Sequence, residues 1–525
     1  MGGAGRHQAL PGRAAEGWAD CAGMPLCLEG NAAFPMKPTL FRILLLAAVA
    51  SACTPAPLAT PAPATVIATV DSGGPTPIPV RTPHPPGEIF VYLAQQGDTL
   101  PAVAAHFHTS LRELLAANPN LPAGLTTLPA GYPLQVPAYY LPLVGSAFHI
   151  LPDSEVVNGP GALGFDTQAE ITSRPGFLAG LSDYANSRQR PAWEIVDIVA
   201  TEYSLHPRLL LTLLESGSGA LTTPTASEQA ATSPMGYASN RYRGLYRQLL
   251  WAAEQLNDGY YGWRTGTLTE LETADGKLVR LDPWLNAGTA AVHNLLAPMY
   301  VQADFVSQTA PEGLQRAYRE LWGDPFEKQV EFIPGNLQQS ELALPFVPNR
   351  VWDFTGGPHE TWGTALPLGA LDFAPPAVEG GCVLSGEWIA APAAGIITRS
   401  DEAIVVLDLG DDGDERTGWA LMFFHVGTEG RVPAGTALEQ GAQIGHPSCE
   451  GGRSTGTHFH VARKYNGEWI PAGGPLPFVM DGWVAAAGAQ PYEGTLTKGS
   501  KVISASTTTT AANRILYTLP GQEAP

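Results

Sequence analysis

Gly445–Arg463 reads GHPSCEGGRSTGTHFHVAR, and it closes on two histidines separated by one phenylalanine. Side chains alternate faces along a β-strand, so His458 and His460 project to one side while Phe459 packs behind them. Two imidazoles then share one small space. Taken alone, a His-x-His pair is also what the solvated face of an ordinary strand contains. The decision rests on what else the chain supplies.

The surrounding sequence, from Phe346 to Tyr492, is rich in short apolar runs such as AIVVLDLG (403–410) and WALMFFHVG (419–427), separated by Gly, Pro and Asp turns. This pattern predicts a β-rich domain. Within it TGGPHETWGTALPLGALDFAPP (355–376) supplies His359 and Asp372, and WALMFFHVG supplies His425. The acidic stretch DLGDDGDERTG (408–418) lacks the ligand spacing of a calcium loop and reads as a solvated turn.

Together these residues resemble the lysostaphin-like zinc metallopeptidases, and within them the beta-lytic or staphylolytic branch, from about Pro345 to Tyr492. The resemblance implies an all-β peptidase domain at 340–495 in which His359, Asp372 and His460 bind one Zn²⁺ per chain. It makes His425 and His458 the catalytic histidines. The chemistry is consistent with that assignment, because two imidazoles and one carboxylate leave a tetrahedral ion an open position for water. Histidines titrating near neutral pH suit the proton transfer that peptide hydrolysis requires. His446 matches no ligand position and reads as a structural turn residue.

The remainder of the chain concerns delivery. MKPTLFRILLLAAVASAC (36–53) has basic residues at Lys37 and Arg42, an apolar core from Ile43 to Val49, and small residues before Cys53. It resembles a bacterial lipoprotein signal at 36–52, which implies lipid on Cys53 and a place in the cell envelope. That place is the outer face of the cytoplasmic membrane or the periplasm. Residues 1–35 read as upstream of the start at Met36. Of the five cysteines, Cys382 and Cys449 remain once Cys21, Cys27 and Cys53 are set aside. An even remainder in an exported protein favours a disulfide between them, with free thiols or metal ligation as the alternatives.

Residues 53–87 are rich in Pro, Thr and Ala and predict an extended, semi-rigid tether. In 88–138 a strand-like start is followed by Leu100, Val103, Ala104 and Phe107 at helical spacing behind Asp98 or Thr99. Ser110 and Glu113 then form a capping box ahead of a second helix, and LQVP ends as a strand. The motifs QQGDTL, HTSLRELLAANPN and LQVP resemble a LysM module, implying a β-α-α-β fold that binds N-acetylglucosamine glycans such as those of peptidoglycan.

Residues 170–339 are helical in pattern. WEIVDIVATEYSLHPRLLLTLLESGSG (193–219) reads as a helix ending near Glu215, and LHPRLLLTLLESGSG resembles the catalytic-helix region of lysozyme-like lytic transglycosylases. That resemblance implies a general acid at Glu215, although the family's following glutamine is missing from SPMGYA (233–238). Residues 496–525 read as a tail. With 29 Lys and Arg against 49 Asp and Glu, a net charge of −20 excludes a nucleic-acid partner, which requires a clustered cationic surface. The reading as a whole is an exported, lipid-anchored zinc endopeptidase acting on peptidoglycan. Two alternatives stand beside it: a non-catalytic scaffold that activates another hydrolase, and glycan cleavage through Glu215.

Overall fold

The computed structural model describes residues 84–139, 145–377, 379–410 and 412–518. The leader, Cys53 and most of the tether lie outside them. Among the described residues no helix is long and apolar enough to cross a membrane.

The first unit is a strand, two helices and a strand: β1 (Ile89–Leu93), α1 (Leu100–His106), α2 (Leu111–Ala117) and β2 (Pro133–Pro137). The strands pair antiparallel, Ile89 opposite Pro137. Thr99 caps α1 by accepting from the Ala102 N–H, while Asp98 instead accepts from the Tyr92 hydroxyl and the Gln95 N–H. Ser110 and Glu113 close a reciprocal capping box on α2, satisfying backbone donors the helix leaves open. Tyr92, Val103, Phe107, Leu114, Leu134 and Val136 form its small core.

A helical region follows. The stretch read as one helix ending near Glu215 is two, α3 (Ala192–Glu202) and α4 (Pro207–Ser218). Proline lacks a backbone N–H and disfavours helix in the residue before it, so Pro207 begins a helix and cannot continue one. Ser204, at φ 55°, turns the chain between them. Gly219 in the left-handed region ends α4. The long α5 (Leu245–Thr265) lies against α6 (Ala287–Leu296). Gly259 permits that approach, since a Cβ there would meet Ala291 Cα at 2.7 Å. A last helix, α7 (Leu314–Trp322), packs on α4.

The C-terminal part is β-rich. Its main strands are β3 (Val351–Trp362), β4 (Ala365–Ala374), β5 (Gly395–Asp401), β6 (Ile404–Asp408), β7 (Trp419–Phe424), β8 (Ala437–Leu438), β9 (Phe459–Tyr465) and β10 (Glu468–Trp469). The residues read as a tail are not one. They contribute most of β13 (Gly494–Lys498) and all of β14 (Lys501–Ser504), which join β11 (Val479–Met480) and β12 (Trp483–Ala487) in a four-stranded sheet. They also supply β15 (Arg514–Leu516), which pairs with β3. Weak apolar alternation in short, threonine-rich runs hides these strands from a sequence reading, and pairing partners create them. The large sheet runs β8-β5-β6-β7-β9-β4-β3-β15, with β10 on β9.

Alternation along these strands separates two cores. Leu371, Phe373, Val405, Leu407, Leu421, Phe423, Phe459 and Val461 point into the β domain's own core. Ala370, Ile404, Val406, Ala420, Met422 and Ala462 point the other way, into one continuous core with α3 to α7. The helical region therefore covers one face of the sheet.

Candidate metal centre

Three strands bring the site together. His359 lies on β3, Asp372 on β4 and His460 on β9, where His460 stands directly opposite Asp372 in the ladder. Asp372 shares its strand face with Ala370, and His460 shares its own with Ala462. The site thus occupies the same sheet face that the helical region covers, one step further along. Gly356 makes room for it, because a Cβ there would meet Asp372 Oδ2 at 2.6 Å.

His359 Nε2 is 3.2 Å from Asp372 Oδ1 and 3.0 Å from His460 Nδ1, and His460 Nδ1 is 3.4 Å from the same carboxylate oxygen. Backbone carbonyls set the tautomers. His359 Nδ1 donates to the Gly357 carbonyl at 2.8 Å, and His460 Nε2 donates to the Thr361 carbonyl at 3.1 Å. Each ring therefore turns a lone pair toward its neighbours, which is how metal-binding histidines are oriented. Asp372 Oδ1 is buried and receives no hydrogen bond. Three acceptors facing one another without a proton between them repel unless a cation lies among them.

The donor set fits Zn²⁺. Tetrahedral bonds of about 2.0–2.1 Å place ligand atoms about 3.3 Å apart, close to the three separations observed. Electrostatics point the same way. Burial works against a charge on His359, but the Asp372 carboxylate outweighs it and holds the imidazole above its ordinary range. Burial likewise opposes ionisation of Asp372, and His359 outweighs it, holding the carboxyl well below its ordinary range. The pocket favours a positive charge. Burial, joined by the charge of His359, holds His460 low despite Asp372.

His425 and His458 stand beside this group. His458 Nε2 is 3.8 Å from Asp372 Oδ2, and the His425 and His458 rings are 4.6 Å apart. Their Nδ1 atoms donate to the carbonyls of Glu450 and Gly456, each at 2.8 Å, leaving both Nε2 atoms free for chemistry. His425 adopts φ 62°, a left-handed conformation that non-glycine residues hold only where the surroundings impose it. Burial, and then the neighbouring His458, lower its imidazole to about 4. It is therefore uncharged at neutral pH.

Cys382 and Cys449 are disulfide-bonded, tying the 379–388 loop to the turn before His458. His446 donates to the Glu387 carbonyl at 2.7 Å and lies against Trp388, outside the metal group. Glu215 lies outside the group as well: its carboxylate accepts from the Leu221 N–H and the Thr222 hydroxyl, closing the turn that follows α4. One neighbour escaped the sequence reading. Tyr492 stacks on His359 at 4.2 Å and 20°, held there because its carbonyl accepts from the Gly357 N–H and its N–H donates to the Pro358 carbonyl. Nothing in PYEG (491–494) signals this, whereas the paired glycines ahead of His359 are a readable sign of crowding.

Residues 149–335 match the family "LasA, N-terminal domain". The chain is 27% identical to Protease LasA of Pseudomonas aeruginosa over 368 residues, which is 64% of this chain and 77% of that protein. It is 29% identical to the beta-lytic metalloendopeptidase of Lysobacter enzymogenes over 135 residues, 25% of this chain and 74% of that one. Among solved structures, the M23 metalloprotease pseudoalterin from the deep sea aligns at 21% identity and TM-score 0.28, over 32% of this chain and 96% of its own. The chain is thus similar to named proteases, one of them a metalloendopeptidase, and it carries a His/Asp/His group with the geometry of a metal centre.

Proposed function

We propose that this protein is a zinc-dependent endopeptidase that hydrolyses stem peptides or cross-links of bacterial peptidoglycan. The observation that carries the reading is the convergence of His359 Nε2, Asp372 Oδ1 and His460 Nδ1, with two more histidines alongside. Bound there, Zn²⁺ supplies Lewis acidity to the attacking water and the scissile carbonyl. His425, neutral and with Nε2 free, takes a proton from that water and returns it to the leaving amine. His458 then stabilises the oxyanion. The complete ligand set disfavours a scaffold that only activates another hydrolase.

Digestion of purified peptidoglycan followed by mass spectrometry tests the reading. New amino groups are expected. New reducing ends or anhydro sugars without amino groups would replace it with glycan cleavage.

Location belongs to the same proposal. The lipoprotein-like segment ending at Cys53 places the enzyme in the cell envelope on a lipid anchor, with 53–87 as a tether. Cys53→Ser is expected to move it out of the membrane fraction, and unchanged retention would overturn the anchor. The LysM resemblance of 88–138 adds N-acetylglucosamine glycan as a second partner.

A further inference from the structure

Between Lys328 and Val351 the chain forms no helix and no strand, yet its stretch FIPGNL (332–337) is tightly held. It lies against two loops of the β-α-α-β unit. Gln96 Oε1 accepts from the Phe332 N–H at 2.9 Å. The Thr127 hydroxyl donates to the Pro334 carbonyl at 2.8 Å and accepts from the Leu337 N–H at 2.9 Å. The Thr127 carbonyl accepts from the Asn336 N–H at 2.8 Å, and the Thr126 hydroxyl donates to the Leu337 carbonyl at 2.6 Å. Every one of these bonds ends on a main-chain atom of the segment.

Phe332, Ile333 and Leu337 are buried on the other side, in the core that the helices share with the sheet, where the Phe332 carbonyl also accepts from Asn466 Nδ2 at 2.6 Å. Gly335 passes so close to the second loop that a Cβ would meet Pro129 Cγ at 2.5 Å. The first loop is itself pinned from behind, since the Arg264 guanidinium donates to the Gln96 carbonyl and leaves no room for a side chain at Gly97. The loops thus hold the segment through its main chain, as an extended peptide is commonly held.

We propose that loops 95–98 and 126–130 form a peptide-docking face whose ligand is the chain's own Phe332–Leu337. In the intact protein the unit is then a clasp on the connection between the helical region and the β domain. A glycan that uses the same loops must displace the segment, so its apparent affinity is reduced by the fraction of chains with the clasp open. The glycan half of the inference rests on the LysM reading; the clasp itself does not, and neither depends on what the metal site cleaves.

Hydrogen exchange on the full chain tests the clasp. Thr127→Val keeps the side-chain shape and removes both hydroxyl bonds. The amides of Asn336 and Leu337 are expected to exchange at least tenfold faster, with those of Phe459–Tyr465 unchanged as the internal control. Unchanged exchange at 336–337 overturns the clasp. Should Thr127→Val also lose protection in Phe459–Tyr465, Gly335→Ala, which alters only the segment, replaces it under the same criterion.

Titration with tetra-N-acetylchitotetraose tests the competition. Gly335→Ala is expected to bind it about tenfold more tightly than wild type. Equal affinities, or binding to wild type that leaves 336–337 protected, overturn the competition. Binding to neither chain overturns the LysM reading and leaves the clasp to the exchange result.

Discussion

Arg264 Nη2 lies 3.1 Å from Glu468 Oε2 and 3.1 Å from Asp153 Oδ2, so one buried guanidinium joins α5 to β10, the strand paired with the one that bears His460. The Tyr260 hydroxyl donates to Glu468 Oε2 at 2.7 Å, and the Trp469 N–H donates to the Tyr261 hydroxyl at 3.0 Å. These polar links cross an apolar junction in which the sheet and the helices share a core. The helical region therefore packs on the same sheet face as the candidate metal site, beside it.

Removing the cation from that junction leaves two buried carboxylates unpaired. Arg264→Met is expected to destabilise the folded chain by about 3–5 kcal/mol, the range found when one partner of a buried ion pair is deleted. Denaturant titration measures the loss. Adding Glu468→Gln to Arg264→Met should recover part of it, and a simple sum of the two single effects would show that the groups do not act together.

Acid sensitivity has an identifiable source in Glu415. Its carboxylate sits 3.1 Å from Arg399 Nε and 2.8 Å from Lys464 Nζ. Burial opposes its ionisation, but the two cations outweigh burial and lower it to about 2. A group depressed on folding contributes stability that is present above its unfolded value near 4.5 and lost as pH falls toward 2. Wild type should lose about 1.4 kcal/mol per pH unit from this group within that window. Glu415→Gln should be less stable at neutral pH and show a flatter acid limb, as followed by thermal unfolding from pH 6 to 2.5. Parallel acid limbs for the two proteins would remove Glu415 as the source.

Glu215 discriminates between the two hydrolytic chemistries. Its carboxylate serves the turn after α4 through Leu221 and Thr222. Glu215→Gln keeps most of that geometry, so it is expected to cost about 1 kcal/mol while leaving amino-group release from peptidoglycan within about twofold of wild type. Loss of sugar-end release with amino-group release retained would assign a glycan-cleaving role to this residue.

How much was legible from sequence follows from the range of each interaction. The capping box at Ser110 and Glu113 and the opposed faces of Phe459 and His460 are local, decided by residues within one turn or one strand. The split at Pro207 is also local, and the uninterrupted apolar spacing of LLLTLL obscured it. Tyr492, β15 and the seat of Phe332–Leu337 depend on partners more than 100 residues away in sequence, with no periodicity of their own. Arg264 belongs to the same class: on α5 it looks like an ordinary helix-end cation, and only the folded chain places it beside Asp153 and Glu468.

Ligands and catalysts at the centre should separate by metal content. His460→Ala or Asp372→Ala removes one of three donors, so the folded variant should hold clearly less than one zinc per chain and lose peptide cleavage with it. His425 lies outside the His359, Asp372 and His460 group, with its ring facing His458, and is proposed to carry a proton and not the metal. His425→Ala should therefore keep zinc near one per chain while turnover falls by about 10²–10⁴-fold. Atomic emission on variants verified as folded by circular dichroism, read beside cleavage rate, decides the matter. Chelation should abolish wild-type cleavage and added Zn²⁺ should restore it. Zinc loss in His425→Ala as complete as in His460→Ala, or zinc and activity both retained in His460→Ala, would show that the four histidines divide their work differently.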